Sequence, residues 1–161
     1  EGVEEDGVGG EVEPMAFYNK KGYVQYDTNH LNLSELVLSV GCAEDVIGEY
    51  LRRVYENQMN RNVVCPNRRE PTYRVLAFVA ATKKNEWKSC RREDMLKALL
   101  EHCLEALPFF CEETPTKKGD AALVYLEKVN DELYAWKSGP APPLVKAEFS
   151  KIHHIVLDIT R

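Results

Sequence analysis

Residues 73–81, YRVLAFVAA, form the most apolar continuous run in the chain and constrain its fold more than any other stretch. Val75, Phe78 and Val79 favour extended backbone, because branched and aromatic side chains fit a pleated surface. Apart from Arg74 the run does not alternate polar with apolar, so it reads as a central strand covered on both faces. Pro66 and Pro71 precede it and Lys83-Lys84-Asn85 follows. The domain is therefore expected to be organised around this strand, with Phe78 in its core.

Two amphipathic helical patterns flank the run. In residues 43–60, Val46, Ile47, Tyr50, Leu51 and Val54 recur at helical spacing opposite Glu49, Arg52, Arg53 and Glu56. Gly48 weakens that helix by about 1 kcal/mol relative to Ala, which a close packed neighbour would explain. A second helix is expected from about Arg92 to Leu107, capped near Ser89, with Met95, Leu96, Leu99, Leu100, Cys103 and Leu107 buried and Pro108 as its stop. Residues 15–19 and 23–26 read as a hairpin in which Gly22 supplies a positive φ. Residues 36–40 read as a strand, with a helix from Leu33 as the competing assignment. Four more strands are expected at 122–129, 132–137, 144–149 and 152–159, the first pair joined by Asn130-Asp131. Strands and helices are thus partly segregated. That order predicts an α+β fold, a mostly antiparallel sheet with two main amphipathic helices packed on it.

A chain of 161 residues is long enough for one domain with its own core. Its formal charge of −5 is unevenly placed. Six of the 26 acids (Glu1, Glu4, Glu5, Asp6, Glu11 and Glu13) fall in residues 1–14 beside no base, leaving 20 acids against 21 bases elsewhere. Residues 1–14 are therefore expected to be an acidic flexible tail, too poor in apolar groups to offset the entropy of ordering, and 15–161 a single α+β domain. The near-neutral body has no bulk field that argues for or against nucleic acid. Five cysteines, with no CxxC pair, predict free thiols in a reducing compartment, cytoplasmic or nuclear. No apolar run of about 18 residues exists, so no membrane span is expected. A start at Glu1 without Met reads as a piece of a larger intracellular protein.

Motifs for chemistry are sparse. His102 and Cys103 are adjacent on a helix and point about 100° apart, a poor start for a zinc site, so no metal is expected. There is no Walker loop and no G-x-G-x-x-G, and no cofactor is expected. A thiol nucleophile would have to be assembled in space from Cys42, Cys65, Cys90 or Cys111 with His30, His153 or His154, without a recognisable motif around it. A cysteine-dependent hydrolase is accordingly the third functional reading. Thr114-Pro115, beside Lys117 and Lys118, fits a proline-directed phosphorylation site.

Basic residues carry the second reading, an RNA- or DNA-binding module. Arg68, Arg69, Lys83, Lys84, Lys88, Arg91 and Arg92 flank the central strand, with Trp87 among them to stack on a base. Interleaved acids and a strand about 30 Å long argue against one continuous patch. Aromatic residues carry the leading reading. Tyr18, Tyr23, Tyr26, Tyr134 and Trp136 lie on predicted hairpins, where they bring large contact area at low entropy cost. The expectation is a non-catalytic interaction domain, a scaffold or complex subunit that docks a peptide or partner domain at a sheet edge or helix–sheet groove.

Overall fold

The structure is a computed structural model that describes residues 13–160. The predicted tail, apart from Glu13 and Pro14, lies outside them. Strands β1 (Val63–Val64), β2 (Thr72–Val79) and β3 (Lys84–Arg91) form an antiparallel sheet in that order. Helices α1 (Leu33–Ser39), α2 (Val46–Val54), α3 (Arg92–Glu112), α4 (Lys117–Ala135) and α5 (Pro143–Thr160) complete it. The fold is α+β, as predicted, but at 54% helix and 14% strand the helices supply most of the core.

The 73–81 run does become the middle strand. Val63 pairs with Val75 on one side, and Thr72↔Arg91 through Val79↔Lys84 pair on the other. Its burial is one-sided, however. Tyr73 and Val75 face the helices at 0% and 6% exposure. On the opposite face Leu76 is buried, but Arg74 is exposed and Phe78 is 60% exposed. The expectation of two covered faces, with Phe78 in the core, is corrected. β3 has the sequence KNEWKSCR and is mostly exposed. Its polar side chains gave no strand signal, and charges on an edge strand also discourage pairing with another chain.

The centre of the molecule is α3, which touches all four other helices as well as β2 and β3. The predicted stripe is buried there and extends through Leu104 and Cys111. Pro108 does not end this helix. Leu107 before it and Cys111 after it are both buried on the same stripe, and that packing offsets the missing N–H. Arg91, not Ser89, occupies the N-cap position.

Four predicted strands are instead two helices. Residues 122–137 lie mostly in α4, with Ala122, Tyr125, Leu126, Val129 and Leu133 inward. Residues 144–159 lie in α5, with Val145, Phe149, Ile152, Ile155 and Val156 inward. Residues 36–40 follow the competing assignment. Asn32 caps α1, its side chain accepting from the Glu35 N–H at 3.0 Å. The predicted 43–60 helix is interrupted, with short 3-10 turns at Ala43–Asp45 and Gln58–Asn60 around α2. Fully buried Asn60 explains the stop. Its Nδ2 donates to the Val54 and Asp27 carbonyls, each at 2.8 Å, satisfying an orphan carbonyl at the helix end.

Candidate functional site

Residues 15–26 form the expected hairpin, reduced to one bridge between Tyr18 and Val24. Gly22 turns it with φ of +84°. The hairpin is held firmly. Phe17 is fully buried, with Tyr18 edge-on at 4.8 Å and Tyr26 at 6.4 Å. Gln25 Nε2 donates to the Ala16 carbonyl at 2.8 Å, and Asn62 Nδ2 donates to that of Met15 at 3.2 Å.

This hairpin meets β2 where β1 runs out. The Leu76 N–H donates to the Asn62 carbonyl at 3.0 Å, and the Leu76 carbonyl accepts from the Phe17 N–H at 2.8 Å. Main-chain groups two residues apart on a strand point the same way, so Phe78 presents its N–H and C=O on this side too. Among the described residues no backbone group bonds to them there. Among the described residues the β2 edge is therefore open at Phe78.

Beside that edge lies a groove of about 1080 Å³. Met15, Ala16, Tyr18, Ala77 and Phe78 make its apolar walls, and Asn19, Gln25 and Asn85 add neutral polar groups. Lys20 and Lys21 are the charged groups lining it. Neither is ion-paired with a carboxylate among the described residues.

Tyr18 also walls a second groove, of about 590 Å³, between the hairpin and α3. Here Tyr23 and Val24 face Glu101, His102 and Glu105. His102 Nε2 is 2.8 Å from the Tyr50 hydroxyl, and its ring stacks on Tyr50 and stands edge-on to Tyr26. Burial pulls the imidazole pKa down to about 4, so the ring is neutral near pH 7. The Tyr26 and Tyr55 hydroxyls pair at 2.6 Å beneath it. Burial raises the pKa of all three tyrosines, which keeps them as hydrogen-bonding phenols.

Of the aromatic residues singled out in the sequence, Tyr18 and Tyr23 are brought together and exposed at 41% and 61%. Tyr26 is committed to the interior network. Tyr134 and Trp136 line a separate hollow with Lys97 and Lys137. Tyr134 is on a helix, not on the predicted hairpin, and Trp136 packs edge-on against Phe149 while its Nε1 donates to the Gly139 carbonyl. Sequence reasoning passed over Phe78, Lys20 and Lys21 as groove residues. One signal was there, since Phe78 shares a strand face with Arg74.

The basic residues divide between the two ends of the strand, but not in the groups their sequence spacing implied, because β3 turns back and returns Arg91 and Arg92 to the end where Arg68 lies. Arg91 and Arg92 stand by the Thr72 end of the hairpin and Lys83 and Lys84 by the Val79 end, about 23 Å apart along the strand. Lys88 and Trp87 are opposite Val75 and Leu76, between the two. Arg92 donates to the Arg68 and Glu70 carbonyls and lies 5.6 Å from the Tyr73 ring centre. Arg68 and Arg69 lie in the exposed loop before β2.

No cysteine is hydrogen-bonded to a histidine among the described residues. The Cys42 thiol donates to Asp45 at 3.2 Å, a contact that raises its pKa. Burial pushes Cys90 and Cys111 up to about 11. His30 bonds the Arg53 carbonyl, and His153 Nδ1 bonds the Tyr73 hydroxyl at 2.5 Å. Cys42, Cys90 and Cys111, held protonated and without a histidine partner among the described residues, do not match the arrangement that activates a nucleophile. Thr114, in the phosphorylation-like motif, is 5% exposed and its hydroxyl donates to the Phe110 carbonyl at 2.8 Å. No described cluster of His, Cys, Asp or Glu has a metal-binding arrangement, and no described helix is long and apolar enough to cross a membrane.

No family model, curated protein or solved structure matches the chain.

Proposed function

We propose that the chain is a non-catalytic interaction domain that takes up an extended segment of a protein partner along the open edge of β2. The observation that carries this reading is that no backbone group among the described residues bonds to Phe78 on the side away from β3, beside an apolar groove. An added strand would bond to the Phe78 N–H and C=O, and its alternate side chains would enter the space between Phe78, Ala77, Met15 and Tyr18. The walls are anchored by Phe17 and by capped carbonyls, so little ordering entropy is left for binding to offset.

Amide-resolved NMR titration with an extended peptide of alternating Val and Thr tests the reading. Shifts are expected to concentrate at Ala77, Phe78, Asn85 and Met15 through Tyr18, and to disappear in Phe78→Ala. Shifts confined to α4 and α5, or none at millimolar peptide, would contradict it.

A further inference from the structure

We infer that the segment bound at the β2 edge is an acidic one, with carboxylates flanking its apolar anchor; this deepens the docking reading above and rests on it. Edge pairing by main-chain bonds is blind to sequence, so selection falls to the side chains around the groove. Those side chains carry one sign of charge. Lys20 and Lys21, at the hairpin turn, rim a groove with no lining carboxylate and have no carboxylate partner among the described residues.

Across Tyr18 the sign reverses. Glu101 and Glu105, one helical turn apart on α3, line the second groove beside a neutral His102. Among the described residues no Lys or Arg lines that groove to offset them. An acidic segment is attracted on the lysine side of Tyr18 and repelled on the other, which confines it to the β2 edge. A basic segment meets the opposite preferences. Close charge complementarity of this kind selects partners more than it adds affinity.

Three peptides with the same central Val-Thr-Val-Thr-Val core, flanked on both sides by two Glu, two Gln or two Lys, test the inference by fluorescence anisotropy. The Glu-flanked peptide is expected to bind about 2- to 30-fold tighter than the Gln-flanked one, the range two exposed ion pairs supply, and the Lys-flanked peptide weakest. In the Lys20→Gln/Lys21→Gln variant, or in 0.5 M salt, the advantage should vanish while Gln-flanked binding persists. Glu101→Gln/Glu105→Gln should leave Glu-flanked binding unchanged or tighter; a weakening would overturn the assignment to the lysine side. Equal affinity for all three peptides overturns the acidic preference alone and leaves edge docking standing. Failure of all three to bind removes both. Displacement of the Glu-flanked peptide by micromolar single-stranded oligonucleotide would also overturn the inference, in favour of a phosphate ligand.

Discussion

The Tyr50 hydroxyl on α2 and the Nε2 of His102 on α3 lie 2.8 Å apart, with their rings stacked at 5.7 Å between centres. The pair couples the hairpin side of the molecule to its central helix, because His102 also meets Tyr26 and lines the second groove.

Stability should therefore fall in mild acid. The folded pKa of His102, about 4, is below the value near 6.5 of an unfolded chain, so unfolding takes up a proton between these limits. Stability is complete above about pH 6.5 and is lost as pH falls towards 4. Between pH 7 and 5 the loss is about 2 kcal/mol for a shift of this size. Urea denaturation of the parent and of His102→Gln checks it, and the variant should show a shallower slope in that window. The carboxylates beside the ring, Glu101 and Glu105, are on its own helix, so replacing them with Gln is the control.

Glu148 should act with the opposite sign. It is fully buried on α5, its Oε2 accepting from the Tyr125 hydroxyl and from Lys151, while Oε1 has no hydrogen-bond partner among the described residues. Burial raises its pKa, so the folded state takes up a proton sooner than the unfolded chain as pH falls. Its contribution to stability grows as pH drops from the folded pKa towards about 4.5. Glu148→Gln is expected to be at least as stable as the parent at pH 7 and to lack that gain, read as the difference between two chemical-denaturation series. Lower stability of the variant at pH 7 would show that the charged form is well served.

Leu99 and Phe78 should separate core from surface. Leu99 is at 0% exposure in the α3 stripe, and Leu99→Ala should cost about 2–5 kcal/mol. Phe78 is 60% exposed, so Phe78→Ala should stay within about 0.5 kcal/mol of the parent while abolishing peptide binding. Thermal or urea midpoints measured beside affinities check both.

The two helical glycines should respond differently to Ala. At Gly48 an added Cβ meets only Ile155 Cδ1, at 3.9 Å, so crowding does not account for the glycine and Gly48→Ala should stabilise by about 1 kcal/mol. At Gly119 the Cβ would fall 2.1 Å from the Thr114 carbonyl oxygen, so Gly119→Ala should cost about 1–3 kcal/mol or more. Denaturation midpoints decide each case.

What could be read from the chain was what local pattern controls. The β2 run, the α2 and α3 stripes and the Gly22 turn follow from propensity and periodicity. Helices α4 and α5 were lost because Val, Ile and Tyr are also strand formers. Yet Tyr125, Leu126, Val129 and Leu133 keep helical spacing, which burial along α4 exposes afterwards. β3 was lost for the converse reason: its sequence has little strand character, and its backbone is held by register with β2. Of the grooves, Tyr18 and Tyr23 were legible as aromatic residues of a hairpin. The exposure of Phe78 beside a strand edge was not, because that edge depends on where β1 stops and where Phe17 bonds, and both are long-range facts.

Hydrogen exchange at the Phe78 amide, followed by NMR with and without bound peptide, tests edge docking most directly. In the free protein Phe78 should exchange far faster than Leu76, whose N–H is bonded to Asn62, and peptide should bring it to comparable protection. A Phe78 amide already protected in the free protein, or one left unprotected in the complex, would contradict docking at this edge.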